Sequence, residues 1–152
     1  MAFDVNRFIA DALALSEQEV KFRDQGDDPK TGMDCVNLPK YLVKLQGLEL
    51  PAEMEAAFKA YNPTSDGKRM FQLLKKYLIE VPTEKAKAGD LYLFRGKQDT
   101  RHIAIRLTDD DPPMIYEAYR SSIRQKAIVS QLRFVRARHI VATFRIPSEL
   151  IA

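Results

Sequence analysis

Residues 26–38, GDDPKTGMDCVNL, carry the transition on which the fold depends: a Gly- and Asp-rich loop that runs directly into an apolar helical stretch. Cys35, the only cysteine in the chain, lies at this junction. A thiol at a helix start feels the positive end of the backbone dipole, which favours the nucleophilic thiolate. The stretch predicts a helix that begins near Asp34 or Cys35 and ends at Gly47, a residue type typical of helix C-caps.

A proline interrupts this predicted helix soon after the cysteine. Pro39 has no N–H, so it is tolerated in a first turn and removes a backbone hydrogen bond further along. Either the helix starts near Asn37, or its first turn is loosened beside Cys35. The role of the thiol is open as well, because a lone cysteine often serves as a small buried apolar side chain.

Length and composition place the chain among globular proteins. It has 152 residues, 45% of them apolar and 30% charged, so we expect residues 1–152 to form a single domain with its own core. No apolar run approaches the roughly 20 residues that cross a bilayer. The first residues have no cationic segment followed by an apolar one. We therefore expect no membrane span and a protein that is cytoplasmic when synthesised.

Cysteine, histidine and charge content narrow the possible functions. One cysteine excludes an internal disulfide and multi-cysteine zinc sites. The two histidines show no His-Glu-x-x-His-like spacing, so we expect no metal and no cofactor. The net charge is +3 and the pI is near 9.0, but lysine and arginine are spread along the chain without a nucleic-acid motif. Ordinary solvation explains this charge best, and we expect no nucleic-acid partner.

Helical patterns occupy the first half of the chain and strand patterns the second, which predicts an α+β domain with a mostly antiparallel sheet. Phe22 to Met33 is predicted as an irregular loop. Further helices are predicted over Val5–Leu13 with Asp4 as N-cap, over Ala52–Ala60 and around Met70–Leu78, the last after a turn at 62–67. Strands are predicted at Leu91–Phe94, His102–Leu107, Met114–Tyr119, about Lys126–Leu132 and His139–Ile146.

Two residues in the strand half are candidates to act with Cys35. His102 heads an apolar strand, and a thiolate facing an imidazole is the working arrangement of a cysteine hydrolase. Such a pair needs a third group to hold the ring, and Glu117 on the next predicted strand could accept its second hydrogen. On a strand, Glu117 could equally be an outward-facing residue, and a register slip of one would turn it away. His139, which opens the last predicted strand, we interpret as structural.

Five segments, in order along most of the chain, resemble the NlpC-type (NlpC/p-sixty) cell-wall cysteine peptidases, and most closely the branch encoded with phage tail genes. They resemble the family's nucleophile segment, its Gly-Asp strand, its histidine strand, its third-residue strand and its final strand. These segments are residues 22–38, 88–94, 101–105, 115–118 and 140–146, respectively.

The resemblance implies a papain-like α+β fold, with N-terminal helices packed on a mostly antiparallel sheet of five to six strands. It implies hydrolysis of an amide in the peptide stems of peptidoglycan, with Cys35 as nucleophile, His102 as the base and acid, and Glu117 as the orienting residue. It also makes Asp34 a candidate substrate contact. The implied partners are peptidoglycan stems and phage tail proteins, and the implied location is a virion or tail.

Three positions depart from the family's pattern. Glu117 stands where histidine is common, and a carboxylate there would raise the pKa of His102. Phe22 replaces a usual tyrosine, so a hydroxyl near the oxyanion is missing. Asn37 replaces a usual glycine or serine-glycine pair, and its bulk would narrow the cleft beside the nucleophile. We expect Phe22 and Asn37, with Asp34, to be substrate-binding positions. These departures leave two alternatives to the peptidase: a catalytically degenerate tail-assembly or wall-binding module, and an acyl- or amide-transfer enzyme.

Overall fold

The computed structural model describes residues 2–59, 67–96, 100–120 and 125–149. The predicted end of a helix at Ala60 and most of the predicted turn at 62–67 lie outside these ranges. The helices are α1 Val5–Ser16, α2 Asn37–Lys44, α3 Ala52–Lys59, α4 Gly67–Tyr77 and α5 Phe134–Ala137, with a 3₁₀ turn at Thr83–Lys85. The strands are β1 Asp27–Asp28, β2 Gly32–Met33, β3 Ile79–Val81, β4 Leu91–Arg95, β5 Arg101–Arg106, β6 Met114–Arg120, β7 Gln125–Gln131 and β8 Ile140–Arg145.

Six of these strands form one antiparallel sheet in the order β3-β8-β4-β5-β6-β7. The predicted α+β class with an antiparallel sheet is therefore confirmed. The pairing of β4 with β5 places Phe94 opposite His102. The β5–β6 ladder pairs Ile105 with Tyr116 and Arg106 with Ile115, which brings the two strands that carry the candidate site side by side.

The sheet buries apolar side chains on both of its faces. One face packs against the helices through side chains that include Leu93, Ile105 and Phe144. A smaller cluster on the other face includes Tyr92 and Phe94. Burying each large apolar side chain stabilises the fold by roughly 1.5–3 kcal/mol. Because strand side chains alternate, His102 and Phe94 point to the face of the smaller cluster, away from Leu93 and Ile105.

The Gly89-Asp90 pair builds the corner before β4. Gly89 has φ +96°, and a Cβ there would lie 2.2 Å from Val5 Cγ2, so both conformation and space require glycine. The Asp90 carboxylate accepts the Lys87 backbone N–H at 2.8 Å and a two-pronged contact from Arg145 on β8. Through these contacts, Asp90 connects the turn before β4 to strand β8.

Several element boundaries differ from the sequence-based expectations. Helix α2 begins at Asn37, one of the two alternatives that Pro39 left open, and ends at Lys44 before a turn to Gly47. Strand β3 was not predicted, because three residues are too few to show alternation. Helix α5 was not predicted either, since one turn has no period to read. The predicted irregular loop contains the short β1–β2 hairpin.

Across the described ranges, no helix has the length and apolar character needed to traverse a lipid bilayer.

Candidate active site

The nucleophile candidate sits at the end of the β1–β2 hairpin. Cys35 follows β2 closely, precedes α2, and is 7% exposed, with its surroundings part of the main core. The backbone segments of the hairpin lie close together at Gly26. A Cβ atom at this position would be only 2.3 Å from the Gly32 carbonyl oxygen. The Asp34 backbone N–H donates to the Gly26 carbonyl at 3.2 Å. The loop therefore fixes the backbone that enters the cysteine.

Asp34 caps the turn that carries the thiol. Its Oδ1 accepts the backbone N–H groups of Val36 (3.2 Å) and Asn37 (2.8 Å), and its Oδ2 accepts that of Gln25 (3.0 Å). Burial raises the pKa of the Asp34 carboxyl, and these hydrogen bonds counteract that rise only in part. The carboxyl group thus has a structural role beside Cys35, and its contact with substrate stays a prediction.

Pro39 also shapes the turn around the cysteine. The Leu38 N–H donates to the Asp34 carbonyl at 3.1 Å, and the Lys40 N–H donates to the Val36 carbonyl at 3.4 Å. The intervening helical bond would run from residue 39 to the Cys35 carbonyl, and proline cannot make it. Because α2 begins at Asn37, this missing bond lies in the turn that leads from Cys35 into the helix, and the bonds on either side of it remain.

The imidazole and the orienting carboxylate meet across β5 and β6. His102 Nε2 lies 2.6 Å from Glu117 Oε1. The side chain of His102 is 20% exposed, whereas that of Glu117 is 1% exposed. The strand register therefore turns Glu117 toward the ring, and not toward solvent. Because Nε2 faces the carboxylate, Nδ1 is the ring nitrogen left for another partner.

The Cys35 thiol acts electrostatically on this imidazole. Burial of the ring opposes protonation of His102, but the charge and hydrogen bonding of Cys35, followed by those of Glu117, raise the pKa of His102 to about 9. Since Nε2 faces Glu117, Nδ1 is the ring nitrogen available to Cys35. The structure therefore places the Cys35 thiol and the Glu117 carboxylate within electrostatic reach of the same imidazole.

A protein-family model describing the NlpC/P60 family matches residues 19–138, which span the hairpin, Cys35, His102 and Glu117. The chain belongs to the NlpC/P60 family. Members of this family are generally cysteine peptidases or amidases. No curated protein matches the chain.

A solved structure supports the fold of this NlpC/P60 chain. It is described as similar to a lipoprotein of the NLP/P60 family from Staphylococcus aureus subsp. aureus Mu50. The TM-score is 0.61 at 21% sequence identity, over 97% of the present chain. The present chain spans 43% of the length of that neighbour. The likeness agrees with the predicted papain-like architecture of helices packed on an antiparallel sheet.

The NlpC/P60 site contains one charged residue that the sequence did not single out. Arg136 of α5 donates from Nη1 to Glu117 Oε2 at 2.5 Å and from Nη2 to Glu117 Oε1 at 2.8 Å. Burial favours a neutral Glu117, but hydrogen bonds and charges of Arg136 and His102 lower the pKa of Glu117 to about 2. A buried carboxylate requires a counter-charge, yet no local pattern distinguishes Arg136 from the nearby Arg133 or Arg138.

Two of the three departures from the family's usual residues, Phe22 and Asn37, lie within the nucleophile segment. Phe22 forms a parallel bridge with Met33 and is half-buried under the Arg120 guanidinium, which lies 5.6 Å from the ring centroid. Asn37 is 2% exposed and is the first residue of α2. Both flank the turn that carries Cys35, and their contact with substrate stays a prediction.

An open pocket of about 580 Å³ adjoins the imidazole. It is lined by Phe94, Arg95, Gly96, His102, Tyr119, Arg136 and His139. His139, interpreted from sequence as structural, is exposed at the rim of this pocket, and its carbonyl accepts the Arg95 N–H at 2.8 Å. Among the described residues, no group of three or more His, Cys, Asp or Glu side chains is arranged to hold a metal ion.

Proposed function

We propose that this NlpC/P60 chain is a cysteine peptidase that hydrolyses amide bonds in peptidoglycan stem peptides. The observation that carries the proposal is the arrangement around His102, whose Nε2 meets Glu117 and whose ring feels the charge of Cys35. Cysteine hydrolases need a thiol, an imidazole and a group that orients the imidazole. The family supplies the class of reaction, and its association with the cell wall supplies the class of substrate.

The proposed reaction proceeds through a thioester. The Cys35 thiolate attacks the amide carbonyl carbon, forming a C–S bond and a tetrahedral oxyanion. His102, protonated at Nδ1, gives its proton to the leaving amine as the C–N bond breaks. The neutral imidazole then takes a proton from water, and the resulting hydroxide attacks the thioester. The C–S bond breaks, the acid product leaves, and thiolate and imidazolium are restored.

The start of α2 would stabilise the oxyanion. The backbone N–H of Cys35 is among the amides of the turn that leads into the helix, where N–H groups lack carbonyl partners four residues earlier in the helix. Donors of this kind, held in place before the reaction, stabilise the charge that develops in the transition state. Asp34 would contribute by fixing this turn through its bonds to Val36 and Asn37.

We further propose that the enzyme acts with a phage-like tail, with tail proteins and peptidoglycan as its partners. This part of the proposal is supported by the resemblance of residues 22–38 and 140–146 to the tail-associated branch of the family. Co-purification of the chain with tail particles, checked by mass spectrometry, tests this part on its own.

Thiol reactivity tests the enzyme proposal directly. We expect Cys35 to be alkylated by iodoacetamide rapidly and in a pH-dependent manner, and more slowly in His102→Ala, because the imidazolium stabilises the thiolate. We also expect purified stem peptides to be cleaved by the wild type and not by Cys35→Ala, as measured by mass spectrometry. Circular dichroism of both variants controls for folding.

Three results would overturn the proposal. Alkylation at the rate of an unstructured thiol, with no cleavage of stem peptides, would favour the wall-binding or assembly module. If the acyl group is transferred to an added amine and not to water, the products would favour the acyl- or amide-transfer enzyme. Cleavage by Cys35→Ala at the wild-type rate would exclude the thiol as nucleophile.

A further inference from the structure

Helix α5 delivers a permanent positive charge to the buried carboxylate of the site. Arg136 approaches Glu117 with both terminal nitrogens, at 2.5 Å and 2.8 Å. One of the two oxygens, Oε1, also lies 2.6 Å from His102 Nε2. Such a two-pronged contact fixes the plane of the carboxylate as well as its position. The orientation of the carboxylate toward the imidazole is therefore coupled to Arg136.

Two aromatic rings hold the guanidinium in place. The Arg136 guanidinium carbon lies 4.7 Å from the Phe94 ring centroid and 5.0 Å from that of Tyr119. The same rings flank the imidazole, with centroids 6.0 Å and 5.6 Å from that of His102. Arginine stacks well on aromatic faces, and each cation–π contact supports its position. Phe94 and Tyr119 thus position the arginine and the histidine together.

The catalytic cycle explains why a second cation is needed at Glu117. Only 1% of the Glu117 side chain is exposed, and a buried carboxylate without a positive partner takes up a proton. His102 supplies positive charge only while it is protonated, and in the proposed reaction it becomes neutral when it gives its proton to the leaving amine. Arginine keeps its charge throughout.

We propose that Arg136 is a positioning residue that keeps Glu117 ionised and correctly oriented through the half of the cycle in which His102 is neutral. This inference rests on the proposed function, because it assigns the arginine a role in that reaction. The charged and titratable groups around the pair are Cys35 on the far side of the ring, Tyr119 on β6, and Arg95 and His139 in the adjoining pocket.

The test compares three arginine variants in the full-length protein. Arg136→Gln removes the charge, Arg136→Lys keeps the charge but loses the two-pronged contact, and Arg138→Gln removes an exposed arginine from the same segment as a matched control. We expect kcat/KM on stem peptides to fall at least tenfold in Arg136→Gln. We expect partial recovery in Arg136→Lys and a wild-type value in Arg138→Gln.

The pH dependence separates a positioning role from a purely structural one. Without Arg136, Glu117 should take up protons at higher pH, so the acid limb of the kcat/KM profile should move to higher pH in Arg136→Gln and move back in Arg136→Lys. A folded Arg136→Gln variant with a wild-type profile would overturn the inference. If that variant does not fold, equal profiles for the wild type and Arg136→Lys, with equal kcat/KM, would overturn it.

A third readout keeps this inference distinct from the proposed function. NMR of the His102 ring nitrogens reports the hydrogen bond to Glu117 without any substrate. We expect the Nε2 proton signal to shift upfield in Arg136→Gln and to stay in place in Arg138→Gln. An unchanged signal would overturn the inference even if peptides are cleaved. A shifted signal in a chain that cleaves no stem peptide would support the coupling of the three side chains and overturn only the proposed function.

Discussion

Two buried carboxylates in this protein are held by arginines in nearly the same way. The Asp90 carboxylate accepts two hydrogen bonds from the Arg145 guanidinium, at 3.0 Å and 2.9 Å. The Glu117 carboxylate accepts two from the Arg136 guanidinium, at 2.5 Å and 2.8 Å. The carboxylate residues are 2% and 1% exposed, and the arginine side chains are 35% and 31% exposed. The arginines differ in the edge they use, Nε and Nη2 for Arg145 and Nη1 and Nη2 for Arg136, but burial does not distinguish the two pairs.

The third partner of each carboxylate makes the difference. Asp90 also accepts the backbone N–H of Lys87, so its pair joins a turn to strand β8. Glu117 also meets His102, which in turn meets Cys35, so its pair is connected to a group that can gain and lose a proton. In this protein, the pair that a titratable group completes is the one to which we assign a role in the proposed reaction.

The sharpest test of this comparison is Glu117→Gln. The amide keeps the size of the side chain but removes the negative charge that faces His102 and Arg136. We expect kcat/KM to fall about 100-fold or more, in the range that general acid–base catalysis contributes. Steady-state kinetics on stem peptides measures the change, and circular dichroism verifies the fold. A reduction of less than threefold would mean that Glu117 does not support the imidazole.

The corresponding substitution in the other pair is Asp90→Asn. It should lower the stability of the fold and leave the catalytic activity unchanged. We expect the free energy of unfolding to fall by about 2–3 kcal/mol, less than for a fully buried pair because Arg145 is 35% exposed. Urea denaturation measures this loss. We expect kcat/KM per folded molecule to stay within twofold of the wild type. A large catalytic loss in fully folded Asp90→Asn would erase the distinction between the two pairs.

Removing the thiol tests the interaction between Cys35 and His102, which has no counterpart at the Asp90 pair. In Cys35→Ser we expect the pKa of His102 to fall from about 9 toward its usual 6.5, since the charge of Cys35 is the largest contribution that raises it. A raised folded-state pKa stabilises the protein fully below pH 6.5, and this stabilisation is lost as the pH rises through 9. Between pH 6.5 and 9, the free energy of unfolding should therefore fall less in Cys35→Ser than in the wild type. NMR titration of the ring and unfolding at pH 6 and 9 measure both effects.

The smallest effect is expected at the cap of the nucleophile turn. Asp34→Ala removes an acceptor for three backbone N–H groups and should lower the free energy of unfolding by about 1–2 kcal/mol. Asp34→Asn keeps one oxygen acceptor and should recover part of this loss. If Asp34 also contacts substrate, KM should rise in both variants beyond what the loss of folded protein explains.

Much of the architecture could be predicted because it depends on local patterns. Asp4 caps α1 as predicted, its side chain accepting the Arg7 N–H at 3.1 Å. Strands β4 to β8 lie within one or two residues of the predicted bounds, since their apolar runs are bounded by turn residues. Strand β3 and helix α5 could not be predicted, because segments of three and four residues are too short for periodicity.

The sequence by itself determined the α+β class, the loop-to-helix setting of Cys35 and the candidacy of His102 and Glu117, because these depend on residue type and on neighbours along the chain. Only the tertiary structure decided that Glu117 faces His102 and that Arg136 neutralises the buried carboxylate. Both follow from packing between segments that are separate in sequence. Burial and charge pairing arise there, and no local pattern encodes them.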